Sequence, residues 1–263
     1  MKILKKIFAF GDSVMRGVVA VSGQQSAVSS QQLAVSSQQS AVSGQQLPVS
    51  GQQVAVSNPS IKYKVSEENF VDTCARRLGV TIENRSRFGS TILNGMDCIE
   101  RYFNRIGKGD IVVLEFGGND CNFDWRAIAA DPDGEHQPKL TLQQFAANYN
   151  KVIDRVEDRG AVPVLLSLPE LDSQRFFNHV SQGLDGENIL KWLEGDVNNI
   201  AHWHEQYNLE VFKLGISRGI KVIDISSTFL QQRRLSDFLC EDGMHPNEAG
   251  HRLIAEAILK EVA

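Results

Sequence analysis

Five short apolar runs, separated by amphipathic segments, constrain this chain more than any other feature. They fall at residues 3–10, 80–84, 111–116, 161–168 and 220–225. The third, IVVLEF, is rich in β-branched residues and almost continuously apolar, as expected of a strand covered on both faces. Helical patterns lie between the runs. One opens at Ser66-Glu67-Glu68-Asn69, continues to Leu78 and stops at Gly79. Others span 92–106, 141–159 and 195–218, each followed by a glycine, and a last one covers 247–262. Strand–helix alternation with right-handed crossovers predicts an α/β protein: a five-stranded parallel sheet between two helical layers, a three-layer α/β/α sandwich. Ligand sites in such sheets lie beyond the carboxyl ends of the strands. That rule singles out Gly11-Asp12-Ser13 after the first strand and Gly117-Gly118-Asn119-Asp120 after the third.

The residues at those ends can carry acyl-transfer chemistry. A serine hydroxyl is a poor nucleophile until a neighbouring base takes its proton. Ser13, at a strand-to-helix turn, points out of the sheet with its own N–H at a helix N-terminus, where backbone donors favour an anion. His245 is the candidate base, since an ordinary imidazole titrates near ~6.5. Asp242, three residues earlier, is within reach of the other ring nitrogen, where a carboxylate fixes the tautomer and stabilises the imidazolium. Asp242 and His245 would also suit a plain surface turn leading into the last helix, with Pro246 at its first position.

Gly11-Asp12-Ser13-Val14, Phe88-Gly89-Ser90, Gly117-Gly118-Asn119-Asp120 and Asp242-Gly243-Met244-His245 together resemble the four signature blocks of the SGNH/GDSL hydrolases, in that family's order. The resemblance covers the chain except for an insert described below, and Val14 replaces a leucine common in the first block. It implies a flavodoxin-like sandwich and a serine esterase. It also implies an oxyanion hole made by the backbone N–H of Ser13, the N–H of Gly89 and the side-chain amide of Asn119. Asp12 is expected to be structural. The implied substrates are carboxylic esters, short acyl or O-acetyl esters first among them, in small molecules or carbohydrates, and no cofactor or metal is expected. An acyltransferase using the same residues is the alternative enzyme. A non-catalytic carbohydrate-binding or scaffold protein is the alternative of another class, against which the intact Ser13, Asn119, Asp242 and His245 argue.

The strongest compositional break is five consecutive heptapeptides, from SGQQSAV to SGQQVAV, over residues 22–56. Their larger apolar residues recur at separations of two, five and seven, not the three-and-four spacing of a coiled-coil seam. Pro48, Gly44 and Gly51 oppose a continuous helix, and a charge-free Ser/Gln/Gly-rich segment offers little to bury. A low-complexity insert within one domain of residues 1–263 is expected. Self-association through this Gln-rich stretch is the competing role.

The remaining features exclude more than they propose. The net charge of −5 and the lack of a basic cluster argue against a nucleic-acid partner. No apolar run approaches the ~20 residues of a membrane span, and Ile7 to Phe10 is too short for a secretory signal, so a cytoplasmic protein is expected. Cys74, Cys98, Cys121 and Cys240 form no CxxC pair and read as buried reduced thiols. Phe123 and Trp125 either line a substrate pocket or pack against the sandwich. Glu135-His136 reads as polar surface, and His202 and His204, two apart on a helix, face different directions. His251 reads as a surface or packing residue. Oligomeric state is left open.

Overall fold

The computed structural model describes residues 5–21 and 61–262. The heptapeptide insert at 22–56 lies outside the described residues, as does the start of the first predicted strand. The chain begins with β1 (Ile7–Gly11), the one-turn helix α1 (Ser13–Arg16) and β2 (Val18–Val21). After the insert come β3 (Lys62–Val65), α2 (Phe70–Leu78), β4 (Ile82–Asn84), α3 (Ile92–Tyr102) and β5 (Ile111–Glu115). Next are α4 (Trp125–Ala130), α5 (Leu142–Glu157), β6 (Val162–Leu166), α6 (Ser173–Val180), α7 (Gly186–Trp192) and α8 (Asn199–Arg218). The chain closes with β7 (Val222–Ile223), α9 (Ser226–Leu230) and α10 (Glu248–Val262).

The main sheet has the order β4-β1-β5-β6-β7 and every pairing in it is parallel. This is the predicted five-stranded sheet in flavodoxin-like order. Successive strand residues point to opposite faces, and the two cores follow that alternation. Phe8, Phe10, Val112, Leu114 and Leu165 enter one core with residues of α3, α5 and α8. Ala9, Val113, Val164 and Leu166 enter the other with residues of α2, α9 and α10. Each large apolar side chain buried there contributes roughly 1.5–3 kcal/mol. Pro163 sits inside the sheet without breaking it, because β7 pairs only with Leu165 and Leu166, so the proline's missing N–H precedes that neighbour.

Helix ends follow local chemistry and correct several expected boundaries. α2 begins after Asn69, whose side chain accepts the Asp72 N–H at 3.0 Å, so Ser66 forms a preceding turn rather than the helix start. α5 opens with the expected Thr141, which shares a capping box with Gln144. α8 begins at Asn199, four residues after Gly195. Pro246 is not helical: it pairs with Leu239, and the Asn247 side chain accepts the Gly250 N–H at 3.0 Å at the start of α10. Two features had no counterpart in the sequence reading. β2 and β3 form a separate antiparallel hairpin carrying the insert. A lobe made of α4, α6, α7 and the start of α8 buries its own apolar cluster around Phe123, Ile128, Phe176 and Ile189.

Candidate active site

Gly11 ends β1, and the next residue, Asp12, turns the chain into α1 by accepting the Val14 N–H at 2.7 Å. Ser13 is thus the first residue of α1, its N–H among those with no intrahelical partner. Gly17 ends the helix after a single turn with φ of 82°. A Cβ there would collide with the side chain of Asn69, the cap of α2, so the glycine is required on both counts. The sharp turn leaves Ser13 at the carboxyl edge of the sheet.

Three of the expected residues form one hydrogen-bonded line. The Ser13 hydroxyl lies 2.9 Å from His245 Nε2, and His245 Nδ1 lies 2.7 Å from Asp242 Oδ2. The other Asp242 oxygen accepts the backbone N–H groups of Met244 and His245, both at 3.1 Å. The carboxylate therefore holds both the ring and the loop bearing it. Burial alone would raise the Asp242 carboxyl, but the His245 hydrogen bond and charge, with those backbone donors, outweigh it and hold the group below the usual carboxylate range. With Asp242 ionised, Nδ1 carries the imidazole hydrogen and Nε2 is free to accept the serine proton.

Gly89, Asn119, Ser13 and His245 line one cavity of about 760 Å³. Gly89 adopts φ of 70°, and a Cβ there would meet no other atom within 4 Å. Besides the small size for which it was expected here, the glycine supplies the left-handed turn that Phe88-Gly89-Ser90 needs. Asn119 donates one amide hydrogen to Asp12 Oδ2 at 2.9 Å. Asp120 is fully buried and accepts the Ile92 N–H at 2.9 Å, tying the Asn119 loop to the start of α3, just after Gly89 and Ser90. Burial pushes Asp120 up to about 7, against the pull of that N–H.

A buried carboxyl behind Ser13 was not anticipated. Glu115, at the end of β5, accepts the Met15 N–H at 3.3 Å and the Asp12 N–H at 3.5 Å. Burial, then the adjacent Asp12 charge, push Glu115 well above the usual carboxylate range. Its signal was present in the sequence as a single acid inside the apolar run IVVLEF. Tyr63 and His179 also border the cavity; neither was legible in the sequence, because the contact is made across the fold.

Phe123 lines the cavity, and it packs edge-on against Trp125, Trp192 and Trp203 of the lobe rather than against the sandwich, at centroid distances of 6.0, 4.8 and 4.8 Å. His202 and His204, expected on different faces, both border this cavity. No three potential metal-binding side chains cluster among the described residues. His136 lies 2.7 Å from the Asp131 carbonyl oxygen in an exposed loop. All four cysteines are free and buried. Among the described residues no helix is long and apolar enough to cross a membrane.

Fold and site together define a flavodoxin-like α/β protein with a serine, a histidine and an aspartate in line at the edge of its sheet. The family profile described as GDSL-like Lipase/Acylhydrolase matches residues 9–253, and the chain belongs to that family. Solved structures of similar fold include a lipase/acylhydrolase from Enterococcus faecalis, 16% identical, covering 98% of this chain and 95% of that one at a TM-score of 0.58. The acetylxylan esterase Axe2 from Geobacillus stearothermophilus is 15% identical over 100% of this chain and 97% of its own, with a TM-score of 0.56. An extracellular lipase from Streptomyces rimosus is 17% identical over 98% of this chain and 100% of its own, with a TM-score of 0.54. At such identities the likeness establishes the fold alone. No curated protein sequence matches the chain significantly.

Proposed function

We propose that this chain is a serine-dependent carboxylic ester hydrolase acting through an acyl-enzyme on Ser13, without a metal or cofactor. The observation that carries the reading is the unbroken line from Ser13 Oγ through His245 to Asp242, at 2.9 and 2.7 Å. In the first half-reaction Ser13 Oγ bonds to the ester carbonyl carbon as its proton passes to His245 Nε2. The negative charge on the carbonyl oxygen falls to the N–H groups of Ser13 and Gly89 and the amide of Asn119. Collapse breaks the bond to the alcohol, which leaves with the proton from Nε2. Water then repeats the sequence on the acyl-enzyme, returning Ser13 and releasing the acid.

Short acyl esters, O-acetyl groups on carbohydrates among them, are the proposed substrates. The cavity, at about 760 Å³, exceeds what an acetyl group fills, and its wall of Phe123, Trp125, Trp192 and Trp203 supports a bulky alcohol portion. We further propose that residues 22–56 expand a hairpin loop of one hydrolase unit and take no part in the chemistry.

The deciding experiment measures turnover of acetyl, butyryl and longer-chain esters and of acetylated sugars by wild type, Ser13→Ala and His245→Ala. Both variants should fold and lose about 10⁴-fold or more in kcat. Retention of most activity by Ser13→Ala would remove Ser13 as nucleophile. Adding an acceptor alcohol separates release to water from transfer.

A further inference from the structure

His245 is enclosed by more than its relay partners. The Tyr63 ring lies 5.1 Å from the imidazole, centroid to centroid, tilted by 57°. The Phe88 ring is stacked on it at 5.8 Å and 14°. The two aromatic rings also touch each other, at 5.2 Å. They arrive from different elements. Tyr63 belongs to β3 and pairs in register with Ala20 of β2, the strand that begins directly after the turn ending α1. The hairpin that carries the insert thus leaves the nucleophile's own helix and returns a ring onto the base. Phe88 precedes Gly89 and is 56% exposed.

The far end of Tyr63 is also placed, its hydroxyl 3.5 Å from His179 Nε2. Burial, then the Asp242 charge, push that hydroxyl above the ordinary phenol range, so the ring stays neutral. The charged and titratable groups facing His245 are Asp242 at Nδ1, Asp12 beside the nucleophile, His179 on α6 and His251 on α10, with Tyr63 itself. None of these groups supplies a π-face parallel to the imidazole as Phe88 does.

We propose that Tyr63 and Phe88 form an aromatic clamp, positioning residues that hold the His245 ring in line with Ser13 and stabilise it selectively when it becomes an imidazolium. An aromatic face attracts a cation within about 6 Å of its centroid, and both distances fall inside that limit. Neutral imidazole gains far less from the same contact. The clamp therefore favours the charge state reached when the Ser13 proton arrives at Nε2, and again when water delivers its proton. Interactions stronger in the transition state than in the ground state raise kcat rather than lower KM.

This inference rests on His245 acting as base, and its test separates the two. Full-length Tyr63→Phe and Tyr63→Leu are compared with wild type on p-nitrophenyl acetate, together with Phe88→Tyr and Phe88→Leu. Each leucine variant should lose about 3- to 10-fold in kcat at unchanged KM, while Tyr63→Phe and Phe88→Tyr stay within about twofold of wild type. Without the ring the imidazolium releases its proton more readily, so the acidic limb of the kcat/KM profile should move to lower pH in the leucine variants only. Equal behaviour of Tyr63→Leu and Tyr63→Phe, or a change confined to KM, overturns the clamp. If Tyr63→Leu fails to fold, the Phe88 pair decides by the same criteria. If wild type turns over no ester, the hydrolase reading has failed instead. NMR titration of the His245 ring then still reads the clamp: a lower titration midpoint in Phe88→Leu than in Phe88→Tyr supports it, and identical midpoints reject it.

Discussion

Asn119 has two amide hydrogens, and one is engaged by Asp12 at 2.9 Å. That bond aims the amide, leaving the second hydrogen for the oxyanion required by the proposed mechanism. Asn119→Ala should therefore lower kcat by about 10²–10³ with little change in KM; steady-state kinetics showing a pure KM effect would reduce Asn119 to a ground-state contact. Asp12→Asn keeps an oxygen able to cap α1, so its melting temperature should stay near wild type while kcat falls by about tenfold. A wild-type kcat would show that Asp12 does not aim the amide. His251 offers a different test. It is fully buried against Phe70, with ring centroids 5.8 Å apart, and burial holds it down at about 4, from an ordinary 6.5. Its folded-state value is depressed, so the stability it contributes is complete above pH 6.5 and falls as pH drops toward 4, where the unfolded chain takes up the proton first. Urea unfolding of wild type minus that of His251→Phe should thus fall by up to about 3 kcal/mol across that window. A pH-independent difference would mean the ring is charged within the fold.

Between residues and the whole lie the elements that bring the loops together. α6 is tied to the loop carrying Asp242 and His245: the Asp172 N–H donates to Gly243 O at 2.8 Å, and Arg175 Nη1 donates to Ser236 O at 2.8 Å and Leu239 O at 3.3 Å. Arg175→Ala removes the Ser236 carbonyl's side-chain donor and leaves Leu239 O only Asn247 Nδ2, at 3.2 Å, and should lower kcat several-fold through misplacement of His245, with Ser13 still present and the fold retained. Unchanged turnover would show that Asp242 alone fixes the loop. The hairpin gives a second prediction. Val21 and Lys62 are paired across it, so the insert enters and leaves at adjacent points. Excising residues 22–56 leaves Ser57 to Ile61 to close the turn, a length ordinary for hairpins. The shortened chain should melt within a few degrees of wild type and keep its short-ester turnover; loss of either would give the heptapeptides a structural role. The hairpin itself was illegible in the sequence because VVAV abuts the repeat and shares its composition, and its partner KYKV is exposed and charged. Strands of the main sheet were legible because burial on both faces demands continuous apolarity. Ser13 and Asn119 stood out as chemistry at strand ends, and Asp242 and His245 as an acid–imidazole pair leading into the last helix. The contacts of Glu115 behind Ser13 and of Tyr63 and Phe88 with His245 did not, since they join distant segments that local pattern does not pair.

At the scale of the molecule, the sheet and the lobe report separately. All three tryptophans, Trp125, Trp192 and Trp203, belong to or border the lobe's aromatic cluster. Their fluorescence follows the lobe, whereas turnover follows the Ser13–His245 contact. Because α6 is both part of that lobe and the brace of the His245 loop, ester turnover in urea should vanish no later than the tryptophan transition. Activity surviving past that transition would mean the sheet alone holds the site. Ser13 and His245 are 232 residues apart, on the first strand's loop and just before the last helix. Time enters here as well as space. At translation rates of about 5–20 residues per second, Ser13 exists for about 10–50 s before His245 is added. Under the proposed mechanism the serine is only an unactivated alcohol throughout that interval, so a nascent chain, or one cut short before His245, should be chemically silent toward esters.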